Sequence, residues 1–231
     1  MAETVRELAR MAPEAAELLL VDDGSQPPID PATFGPLPFP LRLIRHETSQ
    51  GVIPSRNEIA QACRTPYLLS CDDDSYPIDG SVSEAVGYLQ AHPEIFGLSF
   101  PYVEGRARKP MNPSQRREPY PVRMFAACAF MCRTAGYREL GGYSPWLVKQ
   151  NEERDLSYRA LLHGWDIFHY PALTMYHDYT PVARNMDRQD FLTMRNETSL
   201  ELLRIPWPVA LVKRYMHLDI PPGTHRPSNG C

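Results

Sequence analysis

Asp72, Asp73 and Asp74 follow one another at the end of a short apolar run, in the stretch LLSCDDDSYP. Adjacent carboxylates repel, and the repulsion becomes useful when a divalent cation sits among them. A second acidic pair, Asp22 and Asp23, closes the apolar run ELLLVDD. Two acidic strand ends on one rim of a sheet suit a nucleotide diphosphate with its metal. One carboxylate accepts hydrogen bonds from base or ribose hydroxyls, while another joins phosphate oxygens and water in the octahedral shell that Mg2+ or Mn2+ takes. Taken alone, DDGS reads equally as a solvated turn or a helix N-cap.

The stretch NEERDLSYR places Glu152, Glu153 and Asp155 in the first turn of a helix, where the dipole favours ionised carboxylates. Helix-end electrostatics explains that placement, and so does a general base that takes a proton from an attacking hydroxyl. His177 ends the run LTMYH, where an imidazole either closes a metal shell or sits half-buried. An EF-hand is excluded, because the sixth position of DDDSYPIDGSVS is Pro77 and the twelfth is Ser83. The glycine motifs of P-loops, serine-hydrolase elbows and dinucleotide folds are also missing, so phosphate recognition falls to a metal and basic side chains.

The elements that position these groups alternate along the chain. TVRELARMA has helical spacing and stops before Pro13, and ELLLVDD reads as a strand. Residues 26 to 40 are too rich in proline for a helix or a central strand, and LRLIR reads as a second strand. PSRNEIAQAC is helical and YLLSC is a buried strand. A helix over 81 to 91, the strand IFGLSF and an irregular cationic segment over 102 to 120 follow. RMFAACAFMC reads as a strand, RTAGYREL as a helix stopped by Gly141 and Gly142, and EERDLSYRALLHG as a helix stopped by Gly164. WDIFHY and LTMYH are strands, with helical stretches at about 187 to 204 and 208 to 217. The alternation predicts an α/β fold with a mixed, mostly parallel sheet whose ligands gather at strand ends.

Composition narrows the class. The chain has 231 residues, 43% hydrophobic and 23% charged, which suits one sizeable domain. A net charge of -4 and a pI near 6.0 argue against a nucleic-acid partner. Cys63, Cys71, Cys128, Cys132 and Cys231 form no CxxC pair and read as thiols of a reduced, cytoplasmic compartment. Cys128 and Cys132 lack a second pair or nearby histidine and read as buried small hydrophobes. No apolar run reaches the roughly 18 residues of a membrane span. RIPWPVALVKRYMHL mixes aromatic, aliphatic and basic residues in a way that fits peripheral membrane contact or plain packing of a C-terminal helix.

LLLVDDGS, PSRNEIAQACRTPYLLSCDDDSYP, GGYSPWLVKQNEERDLSYRALLHGWDIFHYPALTMYH and RNETSLELLRIP, in that order and spacing, resemble family 2 glycosyltransferases, nucleotide-sugar-dependent enzymes of GT-A fold. The resemblance covers about residues 5 to 206 and leaves 207 to 231 as a C-terminal helix and tail. It implies that Asp23, with Asp22 beside it, contacts the nucleotide base and that Arg56 of the Arg56-Asn57 pair helps bind nucleotide. It implies a DxD at Asp72 and Asp74, with Asp74 as metal ligand, Asp72 as ribose or sugar contact and Asp73 between them. GGYSPWL resembles the acceptor loop, which implies acceptor contacts at Gly142, Tyr143 and Trp146, with Asp155 nearby. NEERDL resembles the segment whose second acidic residue is the base; that is Glu153, with Glu152 the alternative. His177 matches a histidine that binds Mn2+ or Mg2+ in several members. The family's usual first strand, with its nucleotide-holding loop, has no counterpart here.

These resemblances imply an inverting, metal-dependent transferase that moves a sugar from a nucleotide-diphosphate donor to a glycan, polysaccharide or lipid-linked acceptor. The cationic segment over 106 to 117 would fold over the donor. Two rivals differ in class: an impaired GT-A fragment that binds nucleotide-sugar without turnover, and a nucleotidyltransferase with a two-metal site, which leaves NEERDL and GGYSPWL without a role.

Overall fold

The computed structural model describes residues 1–178 and 186–205. The helix expected over 208 to 217, the tail and the membrane-facing part of RIPWPVALVKRYMHL lie outside the described residues. The chain opens with helix α1 (Ala2–Met11), then strands β1 (Leu18–Asp23) and β2 (Leu41–His46), helix α2 (Val52–Ala62) and strand β3 (Tyr67–Ser70). Strand β4 (Ser75–Gly80), helix α3 (Val82–Ala91) and strands β5 (Ile95–Ser99), β6 (Tyr102–Glu104), β7 (Lys109–Pro110), β8 (Tyr120–Pro121) and β9 (Phe130–Arg133) follow. Helices α4 (Thr134–Glu139) and α5 (Glu152–Leu162), strands β10 (Asp166–His169) and β11 (Leu173–His177) and helix α6 (Met186–Arg204) complete the order.

Among the described residues the strands form three sheets, ordered β1-β2, β3-β9-β5-β10-β8 and β4-β11-β6-β7. β1 with β2, β5 with β10, and β6 with β11 are parallel. The other pairings are antiparallel. The sheet is therefore mixed, as expected, but not mostly parallel. The reason is β9, which runs against both β3 and β5, together with β4 and the two-residue strands β7 and β8. Among the described residues β1 pairs with β2 alone and β3 with β9 alone.

Side-chain alternation along β9 builds two cores. Phe130 and Cys132 join Ile53 and Ala60 of α2, Tyr137 of α4 and Leu156 and Ala160 of α5 on one face. Ala129 and Met131 join Ala85 and Leu89 of α3, with Leu173 and Met175 of β11, on the other. Burial on both faces makes β5 and β9 near-continuous apolar runs. Gly97 sits in the middle because a Cβ there would lie 2.6 Å from the Met131 carbonyl oxygen.

One local expectation changes, and one strand joins those read from the sequence. RMFAACAFMC is a strand only in its last part, because Ala126 and Ala129 close a tight turn, the Ala129 amide donating to the Ala126 carbonyl at 3.0 Å. β4, by contrast, forms despite Pro77. It is an edge strand, and its pairing with β11 shifts register between Thr174 and Met175, opposite the proline.

Candidate active site

The three consecutive aspartates form a turn that sends them in different directions. The Asp72 amide donates to the Ser75 hydroxyl at 2.7 Å, and the Ser75 amide donates back to the Asp72 carbonyl at 3.1 Å. Asp73 is exposed, and its carbonyl accepts from the Thr4 hydroxyl of α1 at 2.6 Å. Asp72 and Asp74 turn inward toward His177. One donor atom from each of Asp72, Asp74 and His177 lies within 4.8 Å of the others. Burial and the negative charges of Asp73 and Asp72 raise the Asp74 pKa, against the opposing pull of His177. Two carboxylates and one imidazole are a donor set that suits Mn2+.

His177 reaches this position from the end of β11. Its Nε2 lies 3.5 Å from Asp74 Oδ1, and its Nδ1 lies 3.2 Å from Glu104 Oε1. Glu104 is its cross-strand partner on β6, and the Gly105 amide donates to the His177 carbonyl at 2.9 Å. A carboxylate on Nδ1 selects the tautomer that leaves Nε2 able to ligate. Glu104 carries no sequence signal, because β6 lies within a stretch that reads as irregular.

Arg56 is the hinge between this cluster and α5. It pairs with Asp72, its Nη1 lies 3.6 Å from Glu152 Oε1, and its guanidinium sits 5.8 Å from the centre of the Tyr143 ring. Glu152 is only 6% exposed, and its Oε2 is buried without a hydrogen-bond partner, as are Arg56 Nη1 and the Tyr143 hydroxyl. Buried polar atoms left unpaired are costly, so their concentration beside the aspartate-histidine cluster singles out this region as a candidate site. Glu153 lies beside them. Burial, reinforced by the charge of Glu152 and only partly offset by Arg56 and Arg154, raises its pKa to about 7. A carboxylate poised near neutrality is suited to proton transfer.

Of the other sequence candidates, Asp22 and Asp23 hold loop backbone. Asp22 accepts from the amides of Ser25 and Ile29, each at 2.9 Å, and pairs with Arg45 at 2.7 Å. Burial opposes its ionisation, but the Ile29 and Ser25 amides and Arg45 outweigh it and hold the pKa at about 2. Asp23 accepts from Ser49 and from the amides of Gln50 and Gly51, and it pairs with His46. Both acids thus organise the loops beyond β1 and before α2. Asp155 is fully enclosed by Ser144, Arg159 and Arg204. Trp146 is 40% exposed on the loop before α5. Arg106 and Arg108 line a cavity of about 310 Å³ with Tyr76, Tyr176 and Glu3, on the sheet face opposite His177. The cationic segment therefore does not cover the aspartates with these two residues.

Asn57 turns the Gly142-Tyr143 corner. Its Nδ2 donates to the Tyr143 carbonyl at 2.8 Å, while its Oδ1 accepts from the Tyr143 amide and the Tyr137 hydroxyl, each at 2.8 Å. Gly142 has φ +66, and a Cβ there would lie 2.5 Å from Asn57 Oδ1 and 2.9 Å from the Tyr137 ring. Gly142→Ala combines left-handed strain with a clash against this clamp, and a loss of about 2 to 4 kcal/mol in denaturant unfolding is expected.

The family model described as "Glycosyl transferase family 2" matches residues 1–141 of this chain. The chain belongs to glycosyl transferase family 2. Within the family it is similar to the pre-mycofactocin glycosyltransferases of two Mycobacterium tuberculosis strains, 24% identical over 186 residues. That alignment covers 73% of this chain and 38% of theirs, so the chain spans well under half the length of these curated relatives. Among solved structures it is similar to Staphylococcus aureus TarS, with a TM-score of 0.65 at 16% identity over 94% of this chain and 68% of that one. GalNAc-T7 solved with UDP, GalNAc and Mn2+ gives a TM-score of 0.61 at 19% identity, over 76% of this chain and 40% of that one. These likenesses show the GT-A fold.

For this family 2 chain, the structure brings Arg56, Asp72, Asp74, Glu152, Glu153 and His177 to one rim, adds Glu104, and places Asp22, Asp23, Asn57 and Asp155 in the framework that supports it. Among the described residues no helix is long and apolar enough to cross a membrane.

Proposed function

We propose that the chain catalyses inverting transfer of a sugar from a nucleotide-diphosphate donor to an acceptor hydroxyl, with Glu153 as general base. The observation that carries this reading is the cluster of Asp72, Asp74 and His177 donor atoms, linked through Arg56 to Glu152, with the next residue, Glu153, a carboxylate poised near neutral pH. Glu153 accepts the proton of the acceptor hydroxyl while that oxygen bonds to the anomeric carbon. The bond from the anomeric carbon to the phosphate oxygen breaks on the opposite face. Asp74, Asp72 and His177 would hold Mn2+ or Mg2+, which when bound supplies Lewis-acid stabilisation to the leaving diphosphate. Glu152 faces Arg56 and sets its position rather than taking the proton. Trp146, exposed beside α5, offers a stacking surface for the acceptor, and Asp22 and Asp23 shape the loop against the nucleotide base. Solved neighbours hold UDP, which makes a uridine diphosphate sugar the first donor to test.

Thermal unfolding with a panel of nucleoside diphosphates, with and without Mn2+, tests the reading. A ligand that binds the folded state alone at 100 times its Kd adds about 2.7 kcal/mol. A Mn2+-dependent shift with one nucleotide supports the donor site, and no shift with any of them favours a fold without turnover. Glu104→Gln removes the charge that fixes the His177 tautomer, and Mn2+ affinity in a UDP-saturated calorimetric titration is expected to fall about 10-fold or more.

A further inference from the structure

The loop over 144 to 151 contains one short 3-10 turn, Pro145–Leu147, and is tied to the rest of the fold by side chains of α6. Asn196, fully enclosed, lies with Nδ2 at 3.0 Å from the Leu147 carbonyl, 2.8 Å from that of Lys149 and 2.7 Å from that of Gln150. Its Oδ1 accepts from Arg195 Nε at 2.8 Å, which fixes the end of the amide that faces the loop. Arg195 Nη2 donates to the Trp146 and Leu147 carbonyls at 3.0 and 2.9 Å.

The backbone held this way is strained. Val148, Gln150 and Asn151 have φ of 66, 72 and 63, and a β-branched residue in the left-handed region is a genuine outlier. Such geometry persists only where surrounding contacts over-determine it. The strained loop runs directly into the first turn of α5, where Glu152 and Glu153 begin the helix, and it leaves Trp146 and Val148 exposed.

We infer that Arg195 and Asn196 are positioning residues for sugar transfer, a splint that holds Trp146 and Glu153 in one arrangement without touching the donor side. The inference rests on the assignment of Glu153 as base. Asn196→Ala removes the donors to three carbonyls, and Arg195→Lys keeps the charge but loses the planar fork that reaches the loop and Asn196 together.

The test combines trypsin nicking at the exposed Lys149, calorimetric binding of UDP with Mn2+, and steady-state UDP release from UDP-N-acetylglucosamine with water as acceptor. In Asn196→Ala, cleavage after Lys149 is expected to quicken at least 10-fold. UDP affinity and donor KM are expected to stay within about threefold of wild type while kcat falls at least 10-fold. Arg195→Lys is expected to move the same readouts in the same direction by less, and it stands in if the alanine variant does not fold. A kcat unchanged in both variants, or Lys149 protection unchanged in both, overturns the inference. If the wild-type chain neither binds UDP with Mn2+ nor releases UDP, the glycosyl-transfer reading fails, and the positioning role fails with it. Lys149 nicking would then report the splint alone.

Discussion

Glu153→Gln is expected to lower sugar transfer by about 10²- to 10⁴-fold while leaving Mn2+-dependent UDP binding intact. Gln keeps the size and polarity of the side chain but cannot take a proton. The wild-type rate should rise with pH through about 7, because burial and Glu152 raise the Glu153 pKa to that value and only the ionised form is a base. In the variant that rise disappears.

The same substitution has a signature in stability whose sign follows from linkage. A carboxyl raised from 4.5 to about 7 on folding keeps, in the folded state, a proton that the unfolded chain has already released. Its contribution to stability is fully present below about pH 4.5 and is lost as pH rises through 7. Glu153→Gln should therefore raise Tm relative to wild type more at pH 8 than at pH 5, by calorimetry in the absence of ligand. Lost turnover with no such gain would indicate a damaged fold rather than a missing base.

Asp74→Ala is expected to abolish the Mn2+-dependent thermal shift with UDP and to lower transfer by orders of magnitude. Asp74 is half-buried beside two other aspartates, so its removal relieves like-charge repulsion at the turn. The metal-free variant should consequently be at least as stable as the wild type at pH 8. A retained Mn2+ shift would assign the metal to other side chains. Asp72→Ala should act differently, because Asp72 is also the ion-pair partner of Arg56, and its loss frees the guanidinium that faces Glu152.

Much of this arrangement was legible in the sequence because it rests on local signals. Apolar runs ending in charged turns located β1, β3 and β11, so the acids and His177 fell at strand ends without knowledge of the sheet order. Glycine punctuation marked the ends of α4 and α5. What the sequence concealed depends on long-range contacts. β4 was hidden by Pro77, which only an edge strand with a register shift accommodates. Glu104 acquires its role through a cross-strand register that no local pattern encodes. The aspartates of β1 look like ligands because they end a strand, yet their oxygens accept from amides of the following loops. Asn57, Arg195 and Asn196 stood within segments that resemble the family, but the backbone groups their side chains reach, mostly carbonyls, depend on long-range contacts that no local pattern encodes.

Those carbonyls have an evolutionary consequence. From Leu140 to Gln150 the loop is anchored largely through main-chain oxygens, which accept from Asn57, Arg159, Arg195 and Asn196. Every amino acid supplies that oxygen, so the outward residues at 146, 148 and 149 are free to diversify without loosening the anchor. If Trp146 meets the acceptor as proposed, drift at those three positions would retune which hydroxyl compound is accepted, and a combinatorial library confined to them tests that directly.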